Sequence, residues 1–260
     1  MQRRAFLTAG LSLAAAPAAA AVRDGGSGFT VGGRQLLLAY QGFVEQHLSG
    51  VLRALHALAQ TSDAQSGEWA RMQAALRVLA TESATYATVW LAAPDGAYSS
   101  LATAGQTGLS LADRPYFQRL MAGADIEGDL VVSKSTGRYS AIMATPITAG
   151  DKIVGAIGAS IDAQMLSELV KEATELPADL YFYALDEQGK TAIHRDPKLM
   201  AQFPSDFGSP SMRAAVKRML TKTSGVETYD FAGSHRTALF NWSDATRWRF
   251  VLVHIQARSR

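Results

Sequence analysis

Arg114 is the charged residue best placed for chemistry. It stands between Asp113 and Pro115, at the head of a segment whose Tyr116, Phe117, Leu120 and Met121 fall at helical spacing and form one apolar face. A guanidinium is a planar fork that grips a carboxylate through two hydrogen bonds, so Arg114 is a candidate anchor for an organic anion. The competing reading is a salt bridge to Asp113 or to a neighbouring loop. Downstream, Ser133, Ser135, Tyr139, Ala141 and Met143 alternate toward one side as the chain passes a turn rich in Ser, Thr and Gly. Ser133 and Tyr139 are candidate donors to a ligand oxygen. As ordinary structure they would cap the turn and face half-exposed sheet. Trp90 lies in mid-strand, as core or as pocket wall.

Other chemistries find little support. The histidines at 47, 56, 194, 235 and 254 are scattered over unlike elements, without an H-E-x-x-H pattern or an acidic partner at ligand spacing. The absence of cysteine excludes disulfides, thiolate catalysis, c-type haem attachment and Cys-based zinc or iron–sulfur sites. There is no G-x-S-x-G elbow and no P-loop. Gly155 and Gly158 sit inside a strand pattern, which points to close backbone approach or a bulge rather than a phosphate loop. No catalytic residue, metal or cofactor is expected. The net charge is +2, and Arg3 and Arg4 account for all of it, which argues against a nucleic-acid partner.

The elements that position these residues follow in order. Residues 1–22 read as an export signal: Arg3 and Arg4 form the charged start, Phe6 to Leu13 and an alanine run the short apolar core, and Ala18 to Ala21 the cleavage sites. Q-R-R-A-F-L is similar to the twin-arginine pattern, with Gln2 where Ser or Thr is usual. The alternatives are general secretory export and an uncleaved anchor, and the run falls below the ~20 residues a membrane span needs. A soluble periplasmic product is expected.

A Gly-rich lead-in precedes a helix from Gly33. Its Leu37, Tyr40, Val44, Leu48, Val51, Leu55 and Leu58 form one stripe of about six turns. The stripe either packs along the chain's own two sheets or seams a homodimer. A second helix carries Trp69, Met72, Leu76 and Leu79. Strands are expected over 87–92, 97–102, 130–132, 141–144 and 153–161, with a turn at Pro94-Asp95-Gly96 and a hairpin at 149–152. A helix capped by Asp162 ends before Pro177. A shorter cycle follows: strand 180–185, strand 190–194, helix 209–220, and strands 225–231, 236–242 and 247–255.

The elements D-R-P-Y-F, S-K-S-T-G-R, A-T-P-I and K-I-V-G-A-I-G-A-S-I-D, with D-E-Q-G-K-T-A-I-H-R-D-P in the second cycle, resemble a double Cache domain in order and spacing over roughly Arg34 to Ile255. The fold class expected is α+β: a long N-terminal helix and two PAS-like antiparallel-sheet subdomains. The segments are 33–83 for the helices, 84–176 for a pocket-bearing first subdomain and 177–256 for a smaller second one. The resemblance implies that Arg114 contacts ligand and that Tyr116 and Phe117 supply aromatic wall. His194 resembles a feature of the second half that is more often structural. Amino-acid-binding members place an aspartate where Ser160 stands, and a Tyr and an Asp where Val131 and Ser133 stand. With nothing to neutralise an ammonium, a simple carboxylate is the expected ligand. The candidate binding set is Trp90, Arg114, Tyr116, Phe117, Ser133, Ser135, Tyr139, Met143 and Ser160. The expected role is a non-enzymatic sensor that passes its signal to a membrane receptor or kinase. The alternatives are an enzyme working in a cleft between the subdomains and an accessory interaction subunit with a vestigial pocket.

Overall fold

The structure, a computed structural model, describes residues 21–23 and 30–256, with side chains from residue 32 onward. The export signal expected over 1–22 lies outside the described residues, apart from the backbone of Ala21 and Val22. Strands β1 (Ala21–Arg23) and β2 (Thr30–Gly32) pair antiparallel and lead into α1 (Gly33–Ala59). Thr61 then caps a single turn, α2 (Ser62–Gln65), its hydroxyl accepting from the Ala64 amide at 3.2 Å. Helix α3 (Trp69–Thr81) buries Met72, Leu76 and Leu79.

The first sheet contains β3 (Tyr86–Ala92), β4 (Ala97–Ser100), β5 (Gly105–Ser110), β6 (Ile126–Val132), β7 (Tyr139–Ala149) and β8 (Lys152–Asp162), with α4 (Pro115–Met121) between β5 and β6. Its order is β5-β4-β3-β8-β7-β6, antiparallel throughout. Strand β5 was not expected. Its sequence, G-Q-T-G-L-S, is polar and mostly exposed, and it pairs only with β4 at the sheet edge, where no apolar alternation is required. The strand expected over 97–102 ends at Ser100, because Leu101–Thr103 close into a 3-10 turn.

Helix α5 (Ala163–Thr174) starts at Asp162, whose carboxylate accepts from the Gln164 and Met165 amides at 2.8 and 3.2 Å. The second sheet holds β9 (Leu180–Leu185), β10 (Thr191–His194), β11 (Ser224–Phe231), β12 (Ser234–Trp242) and β13 (Arg249–Gln256), in the order β10-β9-β13-β12-β11. Between β10 and β11 lie α6 (Pro204–Phe207) and α7 (Pro210–Leu220), the latter capped by Ser209.

Helix α1 packs on β7 and β8 of the first sheet and on β12 and β13 of the second. One core joins Leu37, Val44, Leu48 and Leu55 of the helix to Met143 and Ile157 on one sheet and to Phe182 and Phe250 on the other. The stripe is therefore covered by the chain itself. Of the two roles expected for the stripe, Leu48 and Leu55 take the packing along the chain's own sheets, both fully buried. The subdomains are also stitched directly. The Trp248 Nε1–H donates to the Gly128 carbonyl at 2.9 Å, and Gly128 has φ +95, with the Thr246 carbonyl 2.9 Å from where a Cβ would lie. Only glycine fits that junction without strain.

Candidate functional site

The site forms where α4 covers the outer face of the first sheet. Side chains alternate across a strand, so β7 sends Ala141 and Met143 to the α1 core and Ile142 and Ala144 to the other face. Ser160 of β8 is paired with Ile142 and with Thr88 of β3. Trp90 lies opposite Gly158, and its indole fills the space a side chain would take: a Cβ on Gly158 would sit 2.1 Å from Trp90 Cζ2. Gly155 is similarly crowded by the Ala92 carbonyl, at 2.6 Å. The glycines thus serve close approach.

Trp90, Arg114, Tyr116, Ser133, Ser135 and Ser160 line one cavity together. Tyr98, Leu111, Val131, Lys134 and Ile142 complete it, and sequence reasoning missed these five as lining residues. Tyr98 and Lys134 arrive from separate loops and strands with no local signal. Ile142 was hidden by an error of side. Three expected members lie elsewhere. Phe117 is core beneath α4, in the cluster of Trp90, Leu120 and Ile126. Met143 faces α1. Tyr139 also packs on that core, and its hydroxyl crosses to the second subdomain, donating to the Thr191 carbonyl at 3.2 Å. Ser133 and Tyr139 are separated by the turn over 134–138, which resets the alternation, so the parity of one does not carry to the other.

The electrostatics are specific. Asp113 is paired with Lys134 at 2.7 Å, not with Arg114, and that hydrogen bond holds its carboxyl below the usual range. Lys134 also donates to the Ser110 carbonyl at 2.6 Å. Arg114 donates from Nη2 to the Val132 carbonyl at 2.9 Å, a neutral acceptor, and the Asp113 carboxylate feels its charge without bonding it. Burial, the dominant cause, pushes the Tyr116 phenol well up. The turn that carries Ser133 and Ser135 is tied to α5: Arg138 bonds the Asp162 carboxylate at 2.7 Å, the same group that caps the helix. The cavity is nearly full of its own side chains. About 10 Å3 remains, room for roughly one water, so a larger ligand requires Trp90, Tyr98 or Tyr116 to move.

The junction between the sheets holds a separate space of about 230 Å3, bordered by Asp129, Asp186, Glu187, Thr246 and Arg247. Its carboxylates are engaged: Asp129 with Arg119, Glu187 with Arg247, and Asp186 with the Lys190 amide at 2.7 Å.

A family model described as Cache domain matches residues 32–259. No curated protein matches the chain. Among solved structures, the ligand-binding domain of the Pseudomonas aeruginosa amino acid chemoreceptor PctB, in complex with L-Arg, superposes with a TM-score of 0.68 at 18% identity, covering 86% of this chain and 93% of that one. The ligand-binding domain of the Pseudomonas fluorescens chemoreceptor CtaA, in complex with L-serine, gives 0.67 at 17% identity over 85% and 95%. The Vibrio cholerae histidine kinase DctB sensor domain gives 0.66 at 13% identity over 86% and 96%. At these identities the likeness is one of fold.

Proposed function

The chain belongs to the Cache domain family, and from that premise we propose that it is an exported, periplasmic sensor that binds a small organic carboxylate without transforming it. The observation that carries this reading is the charge of the first-sheet cavity. Its lining includes no aspartate or glutamate, Lys134 is paired with Asp113, and Arg114 is bonded to a neutral carbonyl. A carboxylate would complete the guanidinium's fork through charge-assisted hydrogen bonds. An α-amino acid would bring an ammonium group to a lining without an acid, at a cost of several kcal/mol. The serines Ser133, Ser135 and Ser160 would hold the ligand's remaining oxygens. The signal would pass to a membrane receptor or kinase, with the link from Arg138 to Asp162 as one route from the pocket turn into α5. A homodimer through α1 would use its exposed side, where Leu38 lies. Among the described residues no helix is long and apolar enough to cross a membrane.

The small free volume favours a second reading, an accessory subunit whose pocket is vestigial and whose output is protein contact. A thermal-shift screen of the mature chain against organic acids, amino acids and amines separates the two. A ligand at 100 times its Kd stabilises by ~2.7 kcal/mol, which for a chain of this size raises Tm by roughly 5–10 °C. The sensor reading expects such a shift from at least one organic acid and none from its α-amino counterpart. A flat screen across all classes supports the accessory reading.

A further inference from the structure

The second subdomain encloses a larger cavity than the pocket beneath α4. About 210 Å3 opens between the outer face of β9 and β10, the segment that carries α6 and α7, and the ends of β11 and β12. Tyr181, Tyr183, Phe207 and Phe231 give it ring walls, and Met212 closes one side. The polar groups converge on these walls. Arg236 lies over the rings of Tyr181 and Phe231, 5.4 and 4.8 Å from their centroids, and donates to the Tyr181 hydroxyl at 2.6 Å. Arg195 also lies over the Tyr181 ring, 5.1 Å from its centroid, and donates to the Leu180 carbonyl at 2.8 Å. Phenols, carbonyls and ring faces carry no net negative charge, so these contacts hold the two guanidiniums without neutralising them. A guanidinium has five N–H donors, and the bonds of Arg236 to Tyr181 and, at 3.4 Å, to Ser234 leave several of its own unused.

Two further groups point to a ligand. Thr191 is a lining residue that is 1% exposed, and its Oγ1 is buried just behind the cavity wall with no hydrogen-bond partner, so a ligand reaches it by displacing that wall. A buried hydroxyl without a partner is rare, because its desolvation is not repaid. His194 accepts from the Asp196 amide through Nδ1 at 2.7 Å, which leaves its proton on Nε2 as a donor. Asp196 is the only acid among the lining residues, and it is exposed.

We propose that this cavity is a second binding site, independent of the first-sheet pocket, for a small organic carboxylate with a flat apolar body, gripped by Arg236 and bonded by the Thr191 hydroxyl. The apolar lining, Phe207, Met212 and Leu199 among it, takes the apolar body, and the carboxylate meets Arg236. The volume lies below the ~300 Å3 of a drug-sized site, which restricts the ligand to few heavy atoms.

Benzoate is the probe, with benzamide as its neutral counterpart, titrated by calorimetry into the full mature chain. Wild type should bind benzoate, and benzamide at least tenfold more weakly. Arg236→Gln should weaken benzoate at least tenfold. Thr191→Val keeps the shape and removes only the hydroxyl. It should weaken benzoate severalfold while melting no lower than wild type, so it serves if Arg236→Gln proves unfolded by circular dichroism. The His194 ring resonances should move on titration. The proposal is overturned if benzoate fails to bind at up to about 10 mM, beyond the weak end of specific affinity, or if binding survives both cavity variants. Benzoate binding that leaves the His194 resonances unmoved would overturn it too, by placing benzoate outside this cavity.

Discussion

Gly158→Ala is the sharpest test of how the first-sheet pocket is built. Gly158 carries no unusual backbone conformation, so the effect of a methyl there is purely steric. The added Cβ would fall 2.1 Å from Trp90 Cζ2 and 2.5 Å from Cε2 and Cη2. These are ring atoms of a side chain that is 2% exposed and packed against Tyr116, Phe117 and Ile142. The indole has no free end to give way, and the methyl must displace it. Overpacking of this kind costs roughly 1–3 kcal/mol, which for a chain of this length lowers Tm by about 3–10 °C. Urea unfolding followed by circular dichroism measures the loss, with an unchanged slope confirming that the transition is the same one. Trp90→Leu alone leaves a cavity and costs somewhat less than the roughly 3–5 kcal/mol of a full truncation. In Trp90→Leu with Gly158→Ala the methyl meets space instead of a ring, so the double variant should be more stable than the sum of the singles by about 0.5–3 kcal/mol. Gly158→Ala within about 0.5 kcal/mol of wild type, or strict additivity of the pair, would refute the packing described.

Other predictions follow from single residues. Asp162→Ala removes the cap of α5 and the partner of Arg138 together and should cost about 1–2 kcal/mol by urea unfolding; Asp162→Asn should recover part of it, and equal losses would deny the capping role. Burial lowers the His194 imidazole from 6.5 to about 4, with Asp196, Arg195 and Arg236 the charged groups around it. The unfolded chain gains that proton near pH 6.5 and the folded one only near pH 4, so stability falls as pH drops through this window. His47, also lowered by burial, adds a slope of the same sign. His194→Gln should flatten the Tm profile between those values, and an unaltered profile would assign the slope elsewhere. Replacing Arg3 and Arg4 with Lys should block or sharply slow export, as read from periplasmic yield; unchanged yield would discard the twin-arginine route.

Local signals carried most of the fold. The three- and four-residue spacing from Leu37 to Leu55, the cap at Asp162 and the hairpin at Ala149 to Lys152 are each written in neighbouring residues, and each stands in the structure. Pairing information is not local, which is why β5 passed unread: its only reason to be a strand is the edge of β4. The pocket was legible in part for the same reason. Arg114, Tyr116, Trp90 and the serines at 133, 135 and 160 line one cavity. Tyr139 and Met143 were placed by extending one strand's alternation through a turn, and the turn shifted the side they face. Lys134 claiming Asp113, and the indole of Trp90 filling the space over Gly158, depend on side-chain packing from distant segments. The cavity around Arg236 is assembled from seven strands and α-helices of the second subdomain, and its unpartnered Thr191 hydroxyl has no counterpart in any sequence pattern.

The central claim is that Arg114 holds a ligand carboxylate in the first-sheet pocket, and calorimetry on wild type, Arg114→Ala, Arg114→Lys and Ser160→Asp tests it most directly. The titrants are the organic acid that gives the largest thermal shift and its α-amino counterpart. Arg114→Ala should weaken the acid at least tenfold, since one charge-assisted pair is worth ~1.5–3 kcal/mol and 1.4 kcal/mol is a factor of ten. Arg114→Lys should restore only part of the affinity, because a point charge lacks the planar fork. Ser160→Asp should weaken the acid and strengthen the amine-bearing ligand. A folded Arg114→Ala variant that binds the acid as tightly as wild type would contradict the account and leave Arg114 as a structural clasp on the Val132 carbonyl.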